Sequence, residues 1–470
     1  ASDSGAPFTV TVSTGAVCNN LTASGLDQTM TLSGSTAMSI YGNLSVPATN
    51  FTQSYTGTIT FAGTGSETIT TNGKTFTAFT FDGVGGTFTL QDALTLSGTA
   101  TLTNGTLALG SYTFTCSTFS SSNANARTIS FGTSKIVITS AAATPVWTTT
   151  TVTNLTTSGT QLVELTGGGA TTKTINTGAL SEANSISFTL STTAGTVAFN
   201  ANNTVRNLTI ANNSFTLSNV AITIYGNLTV NGTAPTLTTG ANAWTFAATS
   251  GTKTITTNGE TLAFPLTFNG AGGTWALQDA LTIGDGITSR TVTLTAGTLE
   301  LNSYTFTLFG VFSSSNSNTR RIQMSGSGGK IVLVVVSATS LWGSATVTNM
   351  TTDGNVLVQV TGGGVTSNSI NPGQLSEADA MSFQLSRTSG TISFNTSDRV
   401  KNLTIDNNSF TVSNIQITIY GNLIVGGTNV TLTDGSNAWT FAATSGTKTI
   451  TTNGETLDFP LTFNGVGGTW

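Results

Sequence analysis

Phe81-Asp82-Gly83-Val84-Gly85-Gly86-Thr87 decides how the chain is read, because it comes back twice. It returns as Phe268-Asn269-Gly270-Ala271-Gly272-Gly273-Thr274 and as Phe463-Asn464-Gly465-Val466-Gly467-Gly468-Thr469, at spacings of 187 and 195 residues. Ile-Tyr-Gly-Asn-Leu follows the same rule around Tyr41, Tyr225 and Tyr420, and Asn242 to Leu262 is identical to Asn437 to Leu457. Long tandem repeats of this kind mark solenoids and arrays, in which each unit buries its apolar side only against its neighbour.

A finer step lies inside the large one. An apolar-Thr pair recurs at Leu21, Phe79, Leu155, Leu208, Leu266, Met350, Leu403 and Leu461, with gaps from 53 to 84 residues. Each gap is close to three or four multiples of about 19 residues, about one coil of a β-solenoid, so a large unit would hold roughly ten coils. Thr291-Val292-Thr293-Leu294-Thr295 alternates apolar and polar with the period of a strand. Gly, Asn and Ser-Asn separate such runs and supply turns. The expected fold is all-β, a right-handed parallel β-helix with about 20 residues per coil, and tandem β-sandwich domains are the alternative. The uneven gaps fit added or lost coils better than intact sandwiches. At a coil spacing near 4.8 Å a rod on the order of 110 Å follows.

The repeats divide the chain into a partial unit (1–80), a first full unit (81–267), a second (268–462) and the start of a third (463–470). Neither end reads as a capping coil, so a longer protein with more units is expected.

Composition agrees. Of 470 residues 7% are charged and 37% hydrophobic, with 53 Gly and abundant Thr, Ser and Asn. Thr is β-branched and suits the outer face of a sheet. The net charge of -5, with 14 Lys and Arg spread singly, leaves no basic footprint for nucleic acid. The longest apolar run, Ile331 to Val336, is too short to cross a membrane as a helix, so membrane insertion is not expected. Cys116 stands where the second copy has Leu308, which marks a small, buried, apolar position. A disulfide between Cys18 and Cys116 is the sharper but less favoured reading, and the sequence leaves open whether they are free.

The chain has no His, which excludes Ser-His-Asp triads, Cys-His dyads and His-ligated zinc. Paired carboxylates could still cleave polysaccharide. Asp92 and Asp279, in Leu-Gln-Asp-Ala-Leu, and Glu182 and Glu377, in Leu-Ser-Glu-Ala, are the candidates. Each recurs once per large unit, which fits a turn or cap carboxylate holding backbone N–H groups better than a duplicated catalytic cleft. Calcium-binding rolls need Asp after a Gly pair, whereas Gly85-Gly86-Thr87 and Gly167-Gly168-Gly169 lack it and Asp82 becomes Asn269 and Asn464. No catalytic, cofactor or metal residue is therefore assigned. Arg127/Arg320, Lys135/Lys330 and Arg206/Lys401 read as lone charges protecting sheet edges. Lys74, Glu260 and Glu455 change sign between copies and read as solvent-facing decoration. Sequons at Asn20, Asn43, Asn154, Asn207, Asn227 and Asn402 accord with chance in so Asn- and Thr-rich a chain. Thr-x-Thr pairs at one constant coil position would make an ice-binding face, but along an uneven period they should drift.

Trp244 to Thr252, Phe463 to Trp470, and Gln91-Asp92-Ala93-Leu94-Thr95-Leu96 resemble the repeats of large virion structural and fibre proteins of marine phages, notably phages of cyanobacteria. More loosely they are similar to filamentous-haemagglutinin-like β-helical adhesins. The resemblance covers essentially the whole chain. It implies a tail fibre or capsid-attached appendage at the virion surface or outside the cell, giving reach and host contact. Its implied partners are copies of itself or neighbouring virion or filament proteins, and a host-surface glycan as an outside ligand. It carries over no catalytic residue. A cell-surface adhesin or extracellular filament of a bacterium or archaeon is the second reading, and a polysaccharide-degrading tailspike-type enzyme the third.

Overall fold

The computed structural model describes residues 5–141, 145–200, 202–337, 339–364 and 367–470. Among them every regular element is a β-strand, and the strand pairings are parallel, with partners about 22 residues apart. The chain is a β-solenoid of about 20 turns. Two compact units divide it, the first Ala1–Tyr225 with Ala234–Thr236, the second Gly226–Thr233 with Leu237–Trp470.

In the first unit each coil lays strands on three faces. One inward column runs in register through Met38, Ile59, Phe79, Ala100, Phe119, Trp147, Ile175 and Phe199. Neighbours along it are buried, and the rings of Phe119 and Trp147 stack with centroids 4.5 Å apart. The alternation seen in the sequence explains this directly: Leu, Ile, Val and Phe point in, Thr and Ser point out. Each buried aromatic or branched side chain contributes roughly 1.5–3 kcal/mol. Cys116 belongs to this interior, in register with Ile138 and with no exposed surface, and both cysteines are free.

The second unit shows how the long repeat relates to the coil. From Trp244 the parallel partners are Leu266, Val292, Phe312, Trp342, Ile370 and Phe394, and the same face continues through the strands of Val412 and Leu432, eight coils on. Trp439 is the counterpart of Trp244, yet it lies on the next face, between Ile417 and Leu461. One large repeat therefore holds eight turns and one face more, rather than ten. The apolar-Thr steps fall on different faces, Leu403 in one column and Leu461 in another, so their gaps mix whole turns with fractions of a turn. Coil length also varies, from 19 residues between the bonded hydroxyls of Thr99 and Thr118 to 30 between the ladder partners Phe312 and Trp342. Loops at the corners absorb the difference, so the gaps record loop length more than added coils.

Two sequence signals build the corners. Asn72, Asn258 and Asn453, in Thr-Asn-Gly, take left-handed backbone at φ 46°, 48° and 50°. Each also donates its Nδ2 at 2.7 Å to a carbonyl of the preceding coil, Val46, Val230 or Val425. Asparagine tolerates that backbone and adds an axial hydrogen bond that glycine could not. In the Phe-Asn-Gly-x-Gly-Gly-Thr corner the register shifts at Asn269, and Gly270 passes so close to the coil below that a Cβ would sit 1.9 Å from the Ala248 carbonyl oxygen. Gly270→Ala is expected to destabilise the second unit by about 2 kcal/mol or more, because backbone must move. Ala271→Val, which copies Val84 and Val466, should stay within about 0.5 kcal/mol. Urea unfolding of the two variants checks both.

Candidate functional site

Three of the carboxylates singled out from the sequence, Asp92, Asp279 and Glu377, accept backbone N–H groups. Asp92 accepts the N–H of Thr71 at 2.9 Å and that of Asn72, and Asp279 does the same for Thr257 at 2.9 Å and Asn258. Each clamps the Thr-Asn-Gly corner of the coil before it. Glu377 sits in a single turn closed by Ser376 and Ala380, and reaches the Thr444 N–H at 3.1 Å and its hydroxyl at 2.6 Å, 67 residues on. Lys401 reaches back 47 residues to the Gly354 carbonyl at 2.9 Å. These two bonds bypass intervening coils. Glu182 lies near Tyr225, whose phenol is raised by burial and then by the Glu182 charge. Asp82 accepts from the Asn104 amide at 2.7 Å. Among the described residues no group of three or more Cys, Asp or Glu is placed to hold a metal ion.

The basic residues correct the expectation of lone edge charges. Arg127 and Arg320 are 2% and 1% exposed. Arg320 gives Nε to the Ser314 hydroxyl at 2.8 Å, Nη1 to the carbonyls of Asn318 and Thr348 at 2.9 Å, and Nη2 to those of Ser314 and Thr346. Arg127 likewise caps carbonyls of Asn123, Asn125 and Thr151. Both sit where coils swell into stacked Ser/Asn loops whose carbonyls turn inward. The five-donor fork replaces the ladder partners those carbonyls lack. Burial lowers both pKa values. Lys135 pairs with Glu164, Lys330 with the Gln359 amide oxygen at 2.8 Å, and Arg206 with the Ala183 carbonyl at 2.8 Å. At Lys74, Glu260 and Glu455 the turn is the same whatever the side-chain sign, each N–H meeting the carbonyl three residues back at 3.0 Å.

The sequon asparagines also stitch coils. Asn20 accepts from the Asn43 N–H at 2.7 Å, Asn43 from Thr68 at 2.7 Å, Asn227 from Thr254 at 2.9 Å and Asn402 from Asn422 at 2.8 Å. Asn154 donates to the Ala124 carbonyl at 2.9 Å, and Asn207 to the Ser187 hydroxyl at 3.0 Å.

Asp398 was not marked by the sequence reading. It is 2% exposed and accepts the N–H groups of Gly373 at 3.0 Å and Asn395 at 2.8 Å. Burial pushes its carboxyl up to about 7 against the pull of those two donors. The other copy has Asn203 here, whose Oδ1 accepts from Gly178 at 3.2 Å while its amide donates to the Ile175 carbonyl. The Asp/Asn difference between copies was the available signal.

The most regular surface lies in the first unit. Ser66, Thr87, Thr106, Thr128 and Thr156 point outward in register. Two residues on, Thr68, Thr89, Ala108, Ser130 and Ser158 form a second outward column. In this array hydroxyl residues keep to constant coil positions because the loops take up the uneven coil length, while a full Thr-x-Thr pair falls on one of the five coils, at Thr87 and Thr89. A shallow hollow of about 340 Å³ borders the array, lined by Gly85, Gly105, Ala126, Arg127 and Asn154 beside the Thr column.

No family model matches the chain, and neither a curated protein nor a solved structure matches it.

Proposed function

We propose that this chain is a segment of a structural or adhesive fibre, carried on a virion as a tail fibre or capsid-attached appendage, that gives reach and host contact. One observation carries the reading: in the second unit charged side chains join coil to coil. Asp279 clamps a corner, Arg320 fills a loop stack, and Glu377 and Lys401 tie coils that are not neighbours. Such a surface supports length and resistance to unravelling. The likeness of its repeats to those of phage virion proteins supports the virion over its alternative, an adhesin or filament on a bacterial or archaeal surface. Three of the four candidate carboxylates, Asp92, Asp279 and Glu377, are held by backbone N–H groups, which favours a fibre without turnover.

Immunogold electron microscopy with antibody to this chain tests the assignment. Label along appendages of purified virions is the expected result. Label on cell-surface filaments would move the protein to the second reading. Release of reducing ends from host polysaccharide by the purified chain would overturn the non-enzymatic reading.

A further inference from the structure

We propose that the double hydroxyl column of the first unit binds ice. The array covers five successive coils, and each of its outward positions is Ser, Thr or Ala. Glu67 and Arg127, on the same strands, point inward and are buried. The face therefore offers no charge, which matches a neutral partner and would repel none of its atoms. Its repeats are about 4.8 Å from coil to coil and about 6.6 Å between alternate residues of a strand. Oxygens on ice surfaces repeat at comparable distances in two dimensions. Waters held by neighbouring hydroxyls can thus belong to the solid at the same time.

The array is also ready-made. Thr is stiff about its first side-chain torsion, and Thr128 and Thr156 fix each other by a 2.8 Å hydroxyl bond. Little side-chain freedom remains to be lost on docking. The other neutral hydroxylated partner is a crystalline polysaccharide. Neither the array nor the hollow beside it presents an aromatic ring on which sugar rings could stack, so ice is favoured. The second unit supplies an internal contrast. Its corresponding strands place Arg321 between Thr298 and Thr351 in the same ladder. Charge interrupts the lattice there.

The test is partition of the whole chain into slowly growing ice, with inhibition of ice recrystallisation as a second readout. Wild type should be enriched severalfold in the ice over a non-binding protein. The doubly substituted Thr106→Lys, Thr128→Lys chain should lose that enrichment, while Thr298→Lys in the second unit keeps it. Circular dichroism and melting temperature check that each variant is folded, and Ser130→Lys stands in if the double variant is not. Exclusion of wild type from ice would overturn the proposal, as would full enrichment of the folded double variant. Adsorption to crystalline cellulose or chitin, lost in the double variant and unaccompanied by ice binding, would assign the face to a polysaccharide instead.

Discussion

Replacing Arg320 by methionine is expected to destabilise the second unit by about 3–5 kcal/mol, the scale seen when a buried charge network loses one member. Methionine fills much of the volume but donates nothing. The carbonyls of Ser314, Asn318, Thr346 and Thr348 would be left inside the loop stack without donors, and each orphaned group costs about 1–3 kcal/mol before relaxation. Lysine should rescue little, because an ammonium cannot reach two stacked loops with a planar fork. Arg321→Met, one residue along and partly exposed, should shift stability by no more than about 0.5 kcal/mol. Urea unfolding compares the three. Amide exchange should locate the loss in the coils around Phe312 and Trp342, whose rings stack at 4.4 Å.

Asp398→Asn should stabilise the second unit at high pH and leave it unchanged at low pH. The carboxyl pKa in the folded chain is raised to about 7, above its ordinary value of 3.8. The folded state thus holds the proton more tightly than the unfolded one. The favourable contribution is complete below about pH 4 and is lost as pH rises through 7. Asparagine, like Asn203 in the other copy, stays neutral throughout and can donate as well as accept. At pH 8 the variant should be more stable by on the order of 4 kcal/mol, and at pH 4 the two chains should coincide. Thermal unfolding at the two pH values checks the sign. A variant less stable at pH 8 would show that the carboxylate is the better partner for Gly373 and Asn395.

The fold was legible because strand alternation and tandem repetition are local, visible signals. Cys116 could be placed inside from its exchange with Leu308. Coil number was less legible. A motif such as Leu-Thr looks the same on every face, so its spacing cannot separate a full turn from a fraction of one. Of the Asp and Glu candidates, Asp92, Asp279 and Glu377 hold N–H groups as a turn or cap carboxylate does, and Glu182 instead lies near Tyr225. Arg127 and Arg320 were misread because a charge in a polar stretch ordinarily faces water. What overrides that preference is a loop whose carbonyls have turned inward, and loop direction is not written in residue type. The clue was their shared place directly after Ser- and Asn-rich runs.

The leftover face in each repeat governs how the chain meets its surroundings. Ala271 and Val466 occupy the same place in their motifs, and Phe268 and Phe463 beside them lie in different columns. Whatever a repeat displays at that corner is aimed along a new bearing in the next copy. With three faces to a coil, three copies would sweep the full circle before the first bearing recurs. Any direction of approach would then meet the same group within three repeats, without the solenoid having to roll.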